Sequence, residues 1–201
     1  MRITNLADPG GDTYSSNVHL VRGDYNRIED FNTLIDVGND PGVVDRIASV
    51  STGLAKRPVE QVVLTHGHFD HVACLPVIRR IFDPVVYAHS AFLGADHVVR
   101  NGDLLRCGDR DFEVIHTPGH SQDSICLYCR EDGVLFAGDT PLLILSADGS
   151  YEEDFIQALQ CLCRKDVRAI YLGHGDPLLN NCNAQLKATL RTVKTAVKQG
   201  V

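Results

Sequence analysis

No apolar run in the 201-residue chain reaches the roughly 18–20 residues that a helix needs to cross a bilayer, so no membrane role is expected. The opening segment MRITNLADPGGDTYSS has one early arginine but no apolar centre. It does not read as a secretion signal, and the cytoplasm is the expected compartment. No block of lysine or arginine stands out, and the net charge is −7 with a pI of about 5.6. A broad nucleic-acid footprint is therefore not expected, and the expected partner is a small-molecule substrate. Internal repeats, low-complexity tracts and Pro/Gly-rich linkers are missing as well, which points to one domain over residues 1–201. Nothing in the sequence specifies an oligomeric state.

What is present is ordinary for a folded protein. Hydrophobic residues make up 44%, enough for a substantial core, and charged residues 22%, too few for disorder. Seven cysteines, an odd number without a secretion signal, read as reduced thiols. Cys126 and Cys129 have CxxC spacing, but they lie in SICLYC, which reads as a strand. Residues three apart on a strand point to opposite faces, so chelation by this pair is not expected. Cys161 and Cys163, two apart on a predicted helix, diverge for the same kind of reason.

The apolar pattern predicts strands near 2–6, 17–22 and 32–36, followed by a helix capped by Asp40, with Pro41 in its first position, running to about Leu54. A strand at 61–65 leads into a histidine-rich segment. A helix is expected from Leu75 to Phe82, because Pro76 fits only a first turn. A strand in PVVYA and a short helix from Ser90 follow. Successive strands then fill 103–138, including DFEVIHT, SICLYC and GVLFAG. The chain closes with a helix at 152–165, a strand at 167–172 and a long helix at 183–199. Lys187, Arg191, Lys194 and Lys198 on that last helix read as a solvated face. The whole implies sheets inside and helices outside.

Chemistry concentrates in Thr65-His66-Gly67-His68-Phe69-Asp70-His71, directly after an apolar strand. A lone core histidine is usually structural, but three imidazoles and a carboxylate within six residues reverse that reading. Extended backbone can aim His66 and His68 at one ion, while Asp70 and His71 lie past the turn and can reach a second. Imidazole nitrogen and carboxylate oxygen suit Zn, Fe or Mn. Three later segments share one syntax of apolar strand, glycine turn and potential ligand. They are VIHTPGHS with His120, VLFAGDT with Asp139 and AIYLGHGD with His174. Gly119, Gly138 and Gly173 in those turns would allow close approach of backbone.

The order HxHxDH, TPGH, GDT, GHG resembles the metallo-β-lactamase superfamily, particularly its glyoxalase II-like (hydroxyacylglutathione hydrolase-like) branch, over roughly residues 15–177. The resemblance implies an α+β fold, an αββα sandwich of two mixed sheets flanked by helices, with a dinuclear site along one edge. By motif position, His66, His68 and His120 would hold the first metal. Asp70, His71 and His174 would hold the second, and Asp139 would bridge them. Asp36 in LIDVG matches an early Asp that supports the site in the family. Of the two histidines flanking the TPG turn, the motif selects His120, leaving His116 as a strand-end residue. His19, His89 and His97 have no motif context.

The expected cofactors are two divalent ions, zinc before iron or manganese. With two carboxylates and one hydroxide, the inner shell carries about +1 and favours a substrate that develops negative charge on oxygen. The expected function is a metal-dependent hydrolase that uses a metal-bridging hydroxide on an ester-like substrate, a thioester or a lactone. Asp139, as the bridge, and Asp70, orienting the hydroxide or moving a proton to the leaving group, are the catalytic candidates. Leu142, Leu143 and Leu145 read as core packing ahead of an apolar pocket. Only 27 residues follow His174, fewer than glyoxalase II uses to bind glutathione, so that enzyme itself is not the leading expectation. The alternatives are a mononuclear iron oxygenase like the persulfide dioxygenases and, behind it, a metal-dependent nuclease. β-Lactamase activity is disfavoured because Asp139 stands where the di-zinc β-lactamases typically have Cys. A flavodiiron redox scaffold is disfavoured because the second His of the motif is intact and a flavin domain is missing.

Overall fold

A computed structural model describes residues 1–8, 10, 13–53, 55–146 and 149–199, apart from the side chains of Phe92 and Gln199. Strands β1 (Arg2–Asn5), β2 (His19–Arg22), β3 (Thr33–Ile35), β4 (Gln61–Leu64), β5 (Val85–Ala88) and β6 (His97–Val98) form one sheet in that spatial order. Pairing is antiparallel from β1 to β3 and parallel from β3 to β6. Parallel neighbours need crossovers, and helices supply them. Helix α1 (Val43–Ser49) joins β3 to β4, while α2 (Phe69–Val72) and α3 (Leu75–Phe82) join β4 to β5. The second sheet contains β7 (Leu104–Cys107), β8 (Arg110–His116), β9 (Ile125–Cys129), β10 (Val134–Gly138) and β11 (Ala169–Leu172), in the order β11-β10-β9-β8-β7. Only β10–β11 is a parallel pair. Helices α4 (Glu153–Leu162) and α5 (Cys182–Gln199) belong to this half.

The period-two alternation of the strands sorts the core into three layers. Val21, Ile35 and Val63 meet Phe112, Val114, Ile125, Leu127 and Phe136 between the sheets. Leu20, Leu34, Val62, Leu64 and Val86 face the other way, onto Ile47, Ile78 and Phe82 of α1 and α3. Ile115, Tyr128, Leu135 and Ile170 face Phe155, Leu159, Leu186 and Val193 of α4 and α5. With both faces covered, β9 and β10 are buried at every position, which accounts for their unbroken apolar sequences. Helix, sheet, sheet and helix thus stack as an αββα sandwich.

Local expectations hold in several places. Helix α3 starts at Leu75 with proline in its first turn. Cys126 packs toward the helices and Cys129 between the sheets, on opposite faces of β9. Lys187, Arg191, Lys194 and Lys198 are exposed on α5. The first helix is shorter than expected. Asp40 accepts a hydrogen bond from Gly42 N–H at 2.9 Å and pairs with Arg46 at 2.5 Å. Its carboxylate thereby closes a turn ahead of the helix, and Gly42, not Asp40, takes the capping position. The helix ends at Ser49; Leu54, its expected end, lies outside the described residues.

Phe112 and Phe136 pack in the inter-sheet layer with ring centroids 5.7 Å apart, and both are essentially fully buried. Phe112→Ala is expected to lower stability by about 3–5 kcal/mol in urea unfolding, the usual cost of emptying such a site. His19 lies beside them, against Phe136 and Tyr171, where burial lowers its pKa to about 4 even though Asp36 pulls it upward. Between pH 6.5 and 4 the unfolded chain then binds a proton that the native chain refuses, so stability falls as pH drops through that window. The expected loss is about 2–3 kcal/mol, and His19→Gln should flatten this part of the stability–pH curve.

Candidate metal centre

The strand ends of both sheets meet along one edge. Chain leaving β4 bends at Thr65 and reaches His68, which has extended dihedrals, φ −70° and ψ 145°, at the capping position of α2. One helical turn then brings Asp70 and His71 back over the strand end. Only four residues long, α2 carries too little periodicity to be read from sequence. From the second sheet, the loop after β8 brings His120, the end of β10 brings Asp139, and the end of β11 brings His174. Backbone hydrogen bonds tie these ends together: Ile125 N–H to Thr65 O at 2.9 Å, Gly173 N–H to Gly138 O at 2.7 Å, and Asn17 N–H to Gly173 O at 2.7 Å.

All seven predicted ligands converge. His66, His68 and His120 form one group of potential ligand atoms, and Asp70, His71 and His174 form another. Asp139 lies between them. Its Oδ2 is 3.5 Å from both His120 Nε2 and His174 Nε2 and 4.0 Å from His66 Nε2, while its Oδ1 is 3.3 Å from His71 Nε2. His174 Nε2 is 3.0 Å from Asp70 Oδ2, and His120 Nε2 is 2.8 Å from His68 Nδ1. Gly173 makes the crowding possible, because a Cβ there would collide with Asp139 Oδ1 and lie 2.8 Å from His71 Cε1. Gly138 packs on Thr65, whereas Gly119 faces the Phe155 ring rather than the cluster.

Asp36 holds the cluster from behind. Just past β3 it turns to φ +58°, a left-handed conformation that non-glycine residues adopt at a cost. In return its buried carboxylate accepts hydrogen bonds from Thr65 N–H and Thr65 Oγ1, each at 2.8 Å, and lies 2.8 Å from His71 Nδ1. His71 is thereby turned so that Nε2 faces Asp139. Thr117, in the TPG turn, and Thr140, next to Asp139, share a buried 2.8 Å hydroxyl hydrogen bond that ties the His120 loop to the Asp139 loop.

The side chains fit divalent cations. His66 Nε2, His71 Nε2 and His174 Nε2 are buried and face Asp139 at 3.3–4.0 Å, contacts too long or too poorly directed to satisfy them fully. Buried polar atoms so poorly paired are costly, and cations held by the two groups would satisfy them. The electrostatics agree. Burial, helped by His71, lowers His66 to about 4 against the pull of Asp36 and Asp139. Burial also weighs on His71, but Asp36 and Asp139 outweigh it and lift that imidazole to about 10. Asp139 would be raised by burial, but the hydrogen bond and charge of His71, then His174 and His66, bring it down to about 2. Burial lowers His120. Asp139 and His71 thus favour each other's charged forms.

Sequence reasoning missed several neighbours. Tyr14, largely exposed, stacks on His174 with centroids 5.0 Å apart. Asn17 Nδ2 donates to Leu172 O at 3.0 Å and Gly175 O at 2.8 Å, bracketing the His174 turn. Neither residue has a motif around it. Among the candidate pocket leucines, Leu142 is buried in the core, Leu143 lines a cavity at Asp139 and Leu145 is exposed. His116 stands apart, stacked on His89 at 4.1 Å, with Nε2 2.8 Å from Gln122 O.

A family model described as the metallo-beta-lactamase superfamily matches residues 11–96 and 91–174. The chain belongs to the metallo-beta-lactamase superfamily. Members of the superfamily bind divalent metals and are mostly metal-dependent hydrolases. Hydroxyacylglutathione hydrolase of Rhizobium etli is 34% identical over 131 residues, covering 61% of this chain and 50% of that protein. Such relatives accord with the glyoxalase II-like branch that the motifs resemble. Atrochrysone carboxyl ACP thioesterase of Aspergillus fumigatus is 26% identical over 151 residues, 73% of this chain and 48% of that protein. The chain thus spans about half the length of these curated relatives. ETHE1 from Myxococcus xanthus superposes with a TM-score of 0.71 over 100% of this chain and 92% of that one, at 22% identity. BLEG-1 B3 metallo-beta-lactamase gives 0.68 over 94% and 97%, at 21% identity. At these identities the structural likeness is one of fold.

Asp36→Ala removes the acceptor that orients His71 without touching any of the seven converging side chains. Metal affinity, measured by competition with a chromophoric chelator, is expected to fall about 10–100-fold while the circular dichroism spectrum stays native.

Proposed function

We propose that the chain is a dinuclear metal-dependent hydrolase acting on a small ester-like substrate, a thioester or a lactone. The observation that carries this is the placing of Asp139 between two groups of three potential ligands, His66, His68 and His120 on one side and Asp70, His71 and His174 on the other. In this reading each group would hold one divalent cation, zinc foremost, with Asp139 within reach of both. The cations, when bound, supply Lewis-acid polarisation and hydroxide at neutral pH. The protein does the rest. Asp36 fixes the ring of His71 through Nδ1 and leaves Nε2 free to ligate. Asp70, anchored at the start of α2 and 3.0 Å from His174, both ligates and offers a carboxylate to orient the attacking water and carry its proton toward the leaving group. Tyr14 stacks on one face of His174.

The ester-like substrate class draws support from the relatives named hydroxyacylglutathione hydrolase and ACP thioesterase. The acidic net charge gives no support to a nucleic-acid substrate.

The first test is the metal content of protein purified without added metal, measured by inductively coupled plasma mass spectrometry. About two zinc per chain is the expected result. About one tightly held iron per chain would overturn the hydrolase in favour of an oxygenase. His68→Ala and Asp139→Ala are expected to lose metal and at least about 100-fold in turnover on a thioester and lactone panel, with the fold retained. Wild-type turnover in these variants at matched low metal would remove the assignment.

A further inference from the structure

Beside the metal centre lies a chamber of about 390 Å³, within the range of small-molecule sites. Gly119, His120 and Pro141 form one wall, and Tyr151, Glu152 and Phe155, at the start of α4, form the other. A second cavity of about 260 Å³ opens at Asp139 and His174 and shares His120 and Pro141 with the first. His120 therefore stands at their junction. A molecule with its reacting carbon over Asp139 has room to send one substituent past His120 into the chamber.

The chamber has a definite chemistry. Tyr151, just ahead of α4, and Phe155, in its first turn, stack their rings with 5.9 Å between centroids and 27° between planes. Phe155 is only 2% exposed, and glycine at 119 lets its ring reach the wall, since a Cβ there would come within 3.0 Å of it. Among the described lining residues Glu152 is the one carboxylate and none is lysine or arginine. Glu152 is exposed at the position just ahead of α4, so its charge stands at the chamber's solvent side. An apolar tail would bury against the half-buried Tyr151 ring, which the buried Phe155 backs, whereas an anionic tail would meet Glu152.

We infer that this chamber receives the acyl group of the substrate and selects uncharged acyl groups against carboxylate-bearing ones, with Tyr151 and Phe155 providing the contact and Glu152 the exclusion. The inference deepens the hydrolase reading and rests on it. Tyr151, Glu152 and Phe155 are specificity residues here, not catalytic ones.

The test pairs two N-acetylcysteamine thioesters of equal carbon count, hexanoyl and adipoyl, on zinc-loaded protein. Hexanoyl is expected to be favoured about tenfold or more in kcat/KM, the order of effect of one uncompensated charge near a protein surface. Glu152→Gln should narrow that ratio at least fivefold, and Tyr151→Ala should raise KM for hexanoyl more than for acetyl. Calorimetric binding of the two matching non-hydrolysable thioether ketones to the same protein gives a readout independent of turnover and should show the same ranking and the same response to Glu152→Gln. Turnover with a ratio that Glu152→Gln leaves unmoved, or a wild-type preference for adipoyl, would overturn the chamber assignment and leave the hydrolase standing. Ranked binding without any turnover would do the reverse. Neither binding nor turnover would remove both.

Discussion

Asp36 is the point on which the site's geometry turns. A carboxylate buried to 2% exposure must be given donors, and this one is held by the Thr65 backbone, the Thr65 hydroxyl and the His71 ring. Those contacts join the end of β3 to the end of β4 and to α2, so the strand from which the histidine cluster departs cannot shift without leaving a buried charge unpaired. They also decide which nitrogen of His71 faces Asp139. The left-handed backbone at Asp36 is the local strain that this arrangement carries.

Around that clamp, the sandwich acts as a frame. Two sheets pressed together by Phe112, Phe136 and their aliphatic neighbours bring strand ends that are distant in sequence to one edge. Thr65 O accepting from Ile125 N–H sews the two sheets at that edge, and Gly173 N–H donating to Gly138 O sews the loops of Asp139 and His174. The buried Thr117–Thr140 contact does the same for His120 and Asp139. A rigid frame with ligands on short loops suits coordination, because little entropy remains to be lost when an ion enters.

The polar cluster is also costly in isolation. Buried imidazole nitrogens crowded around two carboxylates make a network whose remaining lone pairs a bound cation would satisfy. The acyl chamber differs in kind. It is assembled from Gly119 and His120 of one loop, Pro141 of another and the start of α4, and its aromatic surface and single carboxylate concern recognition rather than ligation.

The sequence by itself determined the inventory of candidate ligand residues and the layering. HxHxDH spacing places four side chains on one short stretch, and the strand–glycine–ligand syntax marks the other three, because both signals are local. Alternation likewise settles which face each β9 cysteine takes, and Pro76 settles where α3 begins. Only the tertiary structure decided the rest. The start of α1 depends on Asp40 choosing Gly42 and Arg46, a competition between hydrogen bonds that propensity does not rank. The roles of Asn17 and Tyr14 depend on a loop that crosses to a turn some 155 residues further along the chain. The chamber depends on Phe155 meeting a glycine at position 119. Such contacts carry no periodicity and no motif. They exist because burying apolar area folds distant segments onto one another, and their chemistry becomes visible only once that folding has placed them side by side.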